Sequence, residues 1–254
     1  MTGLLAHREA VHPGTLVPAR IRAVAFDMDG VLLDTETLWG RAEARLCAAH
    51  GTTYGPSDET ATLGVLALDA CRWYASRFGL PETAAPDLEA ELLAYMAAEL
   101  AGPVEPLPGA VALIERLRGH VRLAVASNSR RVVVRQAVER SGLREAFDAL
   151  LSSDDVVHPK PAPDLYLLAC SRLGVAPGES LALEDSAVGA TAALAAGLSC
   201  YLVRAAPPPA LPDVDAWIPS LVDLLDPRDA SPRDASPRSA DLLEIEDRPD
   251  RLCT

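Results

Sequence analysis

The sequence predicts an α/β protein, in which helices cover both faces of a parallel β-sheet and a helical segment is inserted after the first strand. Three observations predict it: short apolar runs rich in Val, Leu and Ala, helical patterns between the later runs, and one unusually long interval between runs. Continuous rather than alternating hydrophobicity is typical of strands buried on both faces. Strands that alternate with helices indicate a parallel sheet.

The predicted elements follow a regular βα spacing with one exception. Strands are predicted at 22–26, 121–126, 147–151, 180–183 and 198–203, and helices between the later strands at 109–118, 130–141, 163–173 and 186–196. The polar strand ends at Ser127, Lys160 and Asp185 are separated by 33 and 25 residues, which suits βα repeats. Asp27 and Ser127 are 100 residues apart, so an insertion lies between the first two strands.

The insertion spans residues 37–104, which we call the cap. It has helical patterns at 37–50, 66–78 and 87–101, no convincing strand, and a proline-rich end, GPVEPLPG. The sheet core is therefore expected at 21–36 and 105–225, after an N-terminal extension at 1–20. Residues 226–254 include the near-repeat PRDASPRDASPR, which has nothing to bury and predicts a disordered tail.

The composition narrows the class of protein. The chain has 254 residues, 49% of them hydrophobic, which is enough to fill a core. No apolar run approaches the length of a membrane span and the first 20 residues lack the apolar centre of a signal peptide, so we expect a cytoplasmic protein. A net charge of −13 argues against nucleic-acid and anionic-membrane partners, because both require a basic patch. The five cysteines form no CxxC pair and are predicted to be reduced packing residues.

One basic residue differs from all the others. Lys160 is the single lysine, and the chain contains 22 arginines. The two residue types are interchangeable on a solvated surface but not where a compact point charge is needed. Composition alone fits a functional lysine and a chance surface lysine equally well.

Polar side chains stand at four predicted strand ends, where a buried sheet would not select them for packing. They are Asp27 and Asp29 in FDMDG, Ser127 and Asn128 in VASNS, Lys160 in HPKPAP, and Glu184 and Asp185 in LEDSAVG. The carboxyl ends of parallel strands lie on one edge of a sheet, where ligands bind. Carboxylates brought together there repel one another, and a hard divalent cation removes that conflict. Because Mg²⁺ prefers carboxylates, waters and phosphate oxygens, the cluster predicts Mg²⁺.

Four motifs, DMDGVLLDTE, VASNS, KPAPDLY and LEDSAVG, occur in this order within residues 21–225 and resemble those of the haloacid dehalogenase superfamily of phosphohydrolases. The resemblance is to the branch whose small helical cap follows the first strand. It implies a Rossmann-like parallel sheet core with an inserted helical cap domain. It also implies a Mg²⁺-dependent phosphatase that hydrolyses a small phosphomonoester through an aspartyl-phosphate intermediate. We expect a monomer whose partner is a small phosphorylated metabolite.

The resemblance further implies a role for each motif residue. Asp27 would be the nucleophile, and Asp29 would protonate the leaving oxygen and then activate the attacking water. Ser127, the backbone N–H of Asn128 and Lys160 would bind the transferring phosphoryl group. The Mg²⁺ ligands would be the Asp27 and Asp185 carboxylates, the main-chain carbonyl of Asp29, and Glu184 either directly or through a coordinated water.

Two cap positions bear on the substrate. In relatives that resemble β-phosphoglucomutase, basic residues surround the glycine matching Gly64 and a histidine matches Trp39, whereas here Gly64 has apolar neighbours. A mutase must hold two phosphates, so these departures weaken the mutase alternative. DTETLWGRAE more closely resembles sugar-phosphate phosphatases of this branch, in which Trp39 would stack on a sugar or pack under the cap. Outside enzymes, the alternative is a non-catalytic protein that binds a phosphorylated metabolite.

Overall fold

The computed structural model of the protein describes residues 17–206 and 212–225. Its centre is a six-stranded sheet, parallel throughout, in the order β3-β2-β1-β4-β5-β6. The strands are β1 (Ala23–Phe26), β2 (Arg122–Ala126), β3 (Ala149–Leu151), β4 (Ser180–Glu184), β5 (Ser199–Val203) and β6 (Ala216–Ile218). Because the chain crosses from β3 to the other side of β1, the strand order reverses beside β1, where α/β proteins form their ligand sites.

Eight α-helices occur in the described ranges, and the first four belong to the insertion between β1 and β2. They are α1 (Glu36–Ala49), α2 (Pro56–Thr62), α3 (Ala67–Arg77), α4 (Ala85–Glu99), α5 (Ala110–Leu117), α6 (Arg131–Arg140), α7 (Asp164–Leu173) and α8 (Ala187–Ala195). The predicted fold class, a parallel sheet core with an inserted helical cap, is confirmed. The ends of the predicted elements agree with the structure to within two residues. The predicted tail at 226–254 and most of the predicted N-terminal extension lie outside the described residues.

The two faces of the sheet carry side chains of different size. Val24 and Phe26 point to one face, where they join a large apolar cluster that continues into the cap. Ala25, Ala124 and Ala182 point to the other face, against α7 and α8. These small side chains let the backbones of α7 and α8 lie close to the sheet, and close packing is what a protein interior requires.

Two elements were not predicted from the sequence. Helix α2, PSDETAT, has no apolar stripe; instead, the Gly55 N–H donates to the buried Asp58 carboxylate at 2.8 Å and Arg77 pairs with the same carboxylate at 2.8 Å. Strand β6 has three residues and pairs only with β5 among the described strands. Helix α2 therefore depends on side-chain contacts, and β6 is too short to show a periodic pattern.

Two further observations concern the cysteines and the helices. The four described cysteines are free and buried, as predicted: Cys47, Cys71, Cys170 and Cys200. No helix in the described ranges is both long and apolar enough to cross a membrane.

Gly109, which precedes α5, provides a test of the packing between α5 and the C-terminal end of the described chain. Its φ is +85°, and a Cβ there would lie 2.5 Å from the Val222 backbone nitrogen and 2.7 Å from the Leu221 carbonyl carbon. We expect Gly109→Ala to lower the free energy of unfolding by about 3 kcal/mol, because overlap with backbone atoms adds to the cost of a left-handed conformation. Urea denaturation measures this loss.

Gly119→Ala is the matched control, because Gly119 has a similar φ of +82° and no atom within 4 Å of the position of a Cβ. Only the conformational cost of about 1–2 kcal/mol is expected there. Equal losses in the two variants would show that the contact with residues 221–222 contributes nothing.

Candidate active site

The predicted site residues lie together at the carboxyl edge of the sheet. β1 pairs in parallel with both β2 and β4, so the ends of these three strands are neighbours. Asp27 follows β1, Ser127 and Asn128 follow β2, and Glu184 and Asp185 stand at the end of β4. A cavity of about 380 Å³ opens at this edge and is lined by residues of both the sheet core and the cap. Its volume suits a small-molecule ligand.

Lys160 occupies the centre of the charged cluster. The connection from β3 to α7 carries it, and its ammonium group donates to Asp27 Oδ1 at 2.8 Å and to Glu184 Oε1 at 2.6 Å. The side chain is 3% exposed. Burial alone lowers the pKa of this ammonium group, but the two carboxylates outweigh burial and hold the pKa above its ordinary value, so Lys160 stays charged.

The carboxylates at this edge form a group that can hold a metal ion. Oxygens of Asp27, Glu184 and Asp185 lie within 4.8 Å of one another. Burial raises the pKa of Asp27 well above its ordinary value against the opposing effect of Lys160, and burial together with the charge of Asp27 does the same for Asp185. A divalent cation would relieve this repulsion, and an all-oxygen donor set suits a hard ion such as Mg²⁺.

Glu184 is completely buried and uses its two oxygens differently. Oε1 accepts hydrogen bonds from Lys160 and from the Tyr166 hydroxyl, whereas Oε2 accepts none from the described residues. An unsatisfied buried carboxylate oxygen is costly, and a cation or a cation-bound water would satisfy it. A Cβ on Gly189 would lie 1.9 Å from Oε2, so this carboxylate fits only against a glycine at the start of α8.

The Asp29 carboxylate is held by four hydrogen bonds and is not one of the three grouped metal-binding carboxylates. Oδ1 accepts from Thr35 Oγ1 at 2.6 Å and from Trp39 Nε1 at 3.2 Å. Oδ2 accepts from Ser127 Oγ at 2.9 Å and from Ser129 Oγ at 3.0 Å. The donors come from the loop after β1, from α1 and from the loop after β2, so this carboxyl joins the cap to the core.

The loop after β2 makes side-chain contacts that were not predicted from the sequence. The hydroxyl of Ser127 is buried and bonded to Asp29, and Ser129 rather than Ser127 lines the cavity beside Asn128. The Asn128 side chain donates to the Lys160 carbonyl and accepts from the Lys160 N–H, both at 3.0 Å, and so braces the loop that carries the lysine. The predicted phosphate-binding role of Ser127 and of the Asn128 N–H stays a prediction.

Helix α1 forms the cap side of the cavity. Glu36, Trp39, Gly40 and Glu43 line the cavity at the i, i+3, i+4, i+7 spacing of one helix face. Gly64 lines the same cavity with a φ of +71°, and a Cβ there would lie 3.3 Å from Ser186 Cβ. Both cap residues selected from the sequence, Trp39 and Gly64, therefore border the cavity, and the indole N–H of Trp39 contacts a site carboxylate.

Glu43 is a carboxyl buried in the cap with polar neighbours. Glu43 is 5% exposed. Thr62 Oγ1 donates a hydrogen bond to Glu43 Oε2 at 3.2 Å, and the Tyr54 hydroxyl faces the same carboxyl group. Burial raises its pKa from the ordinary value of 4.5 to about 7, against the opposing effect of the Thr62, Tyr74 and Tyr54 hydroxyls. Glu43, Tyr54 and Thr62 all line the same cavity as Asp27 and Lys160.

A bidentate ion pair ties the cap to the core beside the cavity. Arg130 Nε donates to Glu89 Oε1 at 2.9 Å and Nη2 donates to Glu89 Oε2 at 2.8 Å. Arg130 belongs to the loop after β2, and Glu89, on α4, is 8% exposed. A second bond from Arg130 Nη1 to Asp154 at 2.8 Å fixes the guanidinium, so the pair holds α4 over the loop after β2.

Several residues of the site were not identified from the sequence. Those with contacts to the predicted residues are Ser129, Tyr166 and Gly189, and the cap adds Glu43. The first three lie within the quoted motifs, but the sequence does not show which distant residue each of them contacts. Glu43 could have been found by following the helix face of Trp39 for one further turn.

The raised pKa of Glu43 has a consequence for stability. Between pH 4.5 and 7 the folded protein keeps a proton that the unfolded chain has released, so Glu43 destabilises the fold progressively as the pH rises through this window. A glutamine side chain at this position cannot titrate. In urea denaturation, we expect the stability of Glu43→Gln relative to the unsubstituted protein to increase by about 2–3 kcal/mol between pH 5 and pH 8.

Glu82→Gln is the control for this measurement, because it removes the same charge from a cap side chain that is 80% exposed. Its stability difference from the unsubstituted protein should be the same at both pH values. A pH-independent difference for Glu43→Gln as well would mean that Glu43 titrates in its ordinary range.

Comparison with known proteins agrees with this geometry. The family model described as haloacid dehalogenase-like hydrolase matches residues 21–197. The fructose-1-phosphate phosphatase YqaB of Escherichia coli is 33% identical over 190 residues, which cover 73% of this chain and 97% of YqaB. Hexitol phosphatase B of Escherichia coli is 36% identical over 195 residues, covering 74% of this chain and 86% of that protein.

The fold is also similar to that of a solved structure. The crystal structure of CbbY from Rhodobacter sphaeroides in complex with phosphate superimposes with a TM-score of 0.69 at 29% identity, covering 83% of this chain and 99% of CbbY. The family match spans the loops after β1, β2 and β4 and the connection that carries Lys160. The chain therefore belongs to the haloacid dehalogenase-like hydrolase family.

Proposed function

We propose that the protein is a Mg²⁺-dependent phosphatase that hydrolyses a small sugar phosphate through an aspartyl-phosphate on Asp27. The observation that carries the proposal is the buried group formed by Asp27, Lys160 and Glu184 at the base of a cavity large enough for a small metabolite. Membership of the hydrolase family and the similarity to proteins named as sugar-phosphate phosphatases support it.

Asp27 has the surroundings that a nucleophilic carboxylate needs. Lys160 contacts Oδ1, so the second oxygen remains to attack phosphorus and form a carboxyl–phosphate bond as the bond to the leaving oxygen breaks. The lysine then lies where the charge of the phosphoryl oxygens develops. Hydrolysis of the acyl phosphate by water returns Asp27 to its starting state.

Asp29 is suited to the proton transfers. It lies two residues from the nucleophile and is not one of the three grouped metal-binding carboxylates. Its four donors, Thr35, Trp39, Ser127 and Ser129, hold the carboxyl in one place. A carboxyl held near the nucleophile can donate a proton to the leaving oxygen and afterwards accept one from water.

Asp27, Asp185 and the Asp29 main-chain carbonyl would hold Mg²⁺, with Glu184 as a direct or water-mediated ligand. The grouped oxygens and the unsatisfied Glu184 Oε2 fit such an ion. When bound, Mg²⁺ supplies positive charge that offsets the phosphate oxygens and the crowded carboxylates. Lys160 supplies further compensation through its contacts with Asp27 and Glu184.

The phosphosugar mutase alternative receives no support from the cavity. Among the described residues that line it, Lys160 is the single basic residue. The cap arginines at 41, 45, 72 and 77 pair with glutamate or aspartate away from the cavity lining. A mutase would need a second cationic site for its second phosphate.

The first experiment measures phosphate release from a panel of phosphomonoesters with and without Mg²⁺. The panel contains hexose and hexitol phosphates, phosphoglycolate and a nucleoside monophosphate. We expect Mg²⁺-dependent release that is greatest with the sugar phosphates. Asp27→Asn should lower kcat by at least about a thousandfold, because an amide cannot form the acyl phosphate.

Asp223→Asn is the matched control, because Asp223 is a described aspartate outside the cavity lining. It should retain full activity. Substantial turnover by Asp27→Asn would remove the nucleophile assignment. Binding of a sugar phosphate without any release by the unsubstituted protein would instead favour the non-catalytic alternative.

A substitution at Gly189 tests whether Glu184 positions Lys160. In Gly189→Ala, the new Cβ would overlap the Glu184 carboxylate, which must move and take Lys160 with it. We expect kcat for the best sugar phosphate to fall by about a hundredfold, because small displacements of catalytic groups have large effects on rate. Circular dichroism should show an unchanged secondary structure.

Gly178→Ala provides the comparison, since Gly178 has no atom within 4 Å of the position of a Cβ. It should keep the activity of the unsubstituted protein. If Gly189→Ala were equally active, Glu184 would have room to relax without disturbing Lys160, and its role in positioning the lysine would be excluded.

A further inference from the structure

The cavity is strongly asymmetric in charge. Seven of its described lining residues are acidic and one, Lys160, is basic. The acidic residues are Asp27, Asp29, Asp34, Glu36, Glu43, Glu59 and Asp185. Lys160 and a bound cation can compensate the transferring phosphate, but nothing in the described lining compensates a second anionic group. A carboxylate or second phosphate on the leaving group would meet uncompensated negative charge.

Helix α1 sets the distance from the reacting end to the far end of the cavity. Thr35, at its N-cap, and Trp39 both donate to Asp29, whereas Glu43 lies one turn further along the same face. With a rise of about 1.5 Å per residue, Glu43 lies roughly 6 Å beyond Trp39 along the helix axis. The leaving group of a substrate must extend along this face, since the phosphate is held at the sheet edge.

The far end presents hydroxyl-binding groups. Glu43 is a carboxyl facing the Tyr54 hydroxyl, with the Thr62 hydroxyl bonded to its Oε2. The Tyr74 hydroxyl also faces Glu43, so the three hydroxyls occupy at most three of the roughly four acceptor positions of a carboxylate. The neighbouring lining is apolar, with Val65, Ala70 and Leu92. A buried carboxyl with spare acceptor capacity beside apolar walls suits an uncharged sugar hydroxyl.

We propose that Glu43 and Tyr54 form a hydroxyl-binding subsite at the cap end of the cavity, which selects uncharged polyhydroxy monophosphates such as hexose or hexitol phosphates. The inference rests on the proposed phosphatase function and deepens it by naming the residues that choose the leaving group. Glu43 acts as a specificity-determining residue and takes no part in the chemistry at phosphorus. A site built to bond a hydroxyl discriminates strongly against a substrate that lacks it.

The test compares two substrates that share a phosphate but differ in hydroxyl groups. The substrates are sorbitol 6-phosphate and p-nitrophenyl phosphate, measured with Mg²⁺ present. We expect Glu43→Gln to lower the ratio of kcat/KM for sorbitol 6-phosphate to that for p-nitrophenyl phosphate by at least about tenfold. Tyr54→Phe should lower the same ratio in the same direction but by less, since it removes one hydroxyl and keeps the ring.

Glu82→Gln is the matched control, because it removes one negative charge from an exposed position in the cap. Its ratio should equal that of the unsubstituted protein. A second arm compares fructose 1-phosphate with fructose 1,6-bisphosphate. The unsubstituted protein should prefer the monophosphate by at least about tenfold, because the second phosphate has no cationic partner in the described lining.

The possible outcomes distinguish failure of the hydroxyl-binding subsite from failure of the proposed phosphatase function. Equal losses on both substrates in Glu43→Gln would show that Glu43 only supports the cap, and would overturn the subsite. Equal use of fructose 1-phosphate and fructose 1,6-bisphosphate would also overturn the subsite. So would a strong preference for glucosamine 6-phosphate over glucose 6-phosphate, because it would indicate that Glu43 binds an ammonium group rather than a hydroxyl. No phosphate release from any compound would reject the proposed function, and the subsite with it.

Discussion

The compensation of charge around Lys160 is the constraint on which the site depends. Asp27 and Glu184 are both buried, and each would lose solvation without an internal partner. An unpaired buried charge costs several kcal/mol, so the ammonium group that contacts both is required by the fold as well as by the chemistry. One positive charge cannot balance three grouped carboxylates, so the arrangement suits the cation that we propose. The ends of β1 and β4 thus bring together a set of oxygens that could hold a metal ion.

Glycine allows the elements around this edge to approach one another closely. A side chain at Gly30 would place its Cβ 2.5 Å from Asp185 Oδ2, and one at Gly189 would overlap Glu184. Small side chains have the same effect in the apolar core, where alanines on one face of the sheet let α7 and α8 pack closely against it. A side chain at either glycine would displace a carboxylate, so the close approach of the backbone is part of how the charged groups are packed together.

Helix α1 links the reacting groups to the recognition of the leaving group. Its N-terminal turn supports Asp29 through Thr35 and Trp39, and its second and third turns line the cavity where we propose that the leaving group binds. The Arg130–Glu89 pair holds another cap helix over the loop after β2. Substitutions in the cap can therefore alter substrate choice while the sheet edge, and the chemistry on it, remain the same.

Much of this protein was determined by local sequence. Continuous apolar runs predicted five of the strands, and the motifs identified Asp27, Asp29, Lys160 and Asp185, because strand ends and their polar residues are set by neighbours in the chain. Tertiary structure alone decided which residues these side chains contact. Asp29 accepts a hydrogen bond from Ser129, 100 residues away, and Glu184 contacts Tyr166 and lies against Gly189. Tertiary contacts also decided that α2 and β6 form and that Glu43 faces the cavity. Such contacts join distant segments, and the periodicity of a sequence carries no record of which distant segment lies opposite.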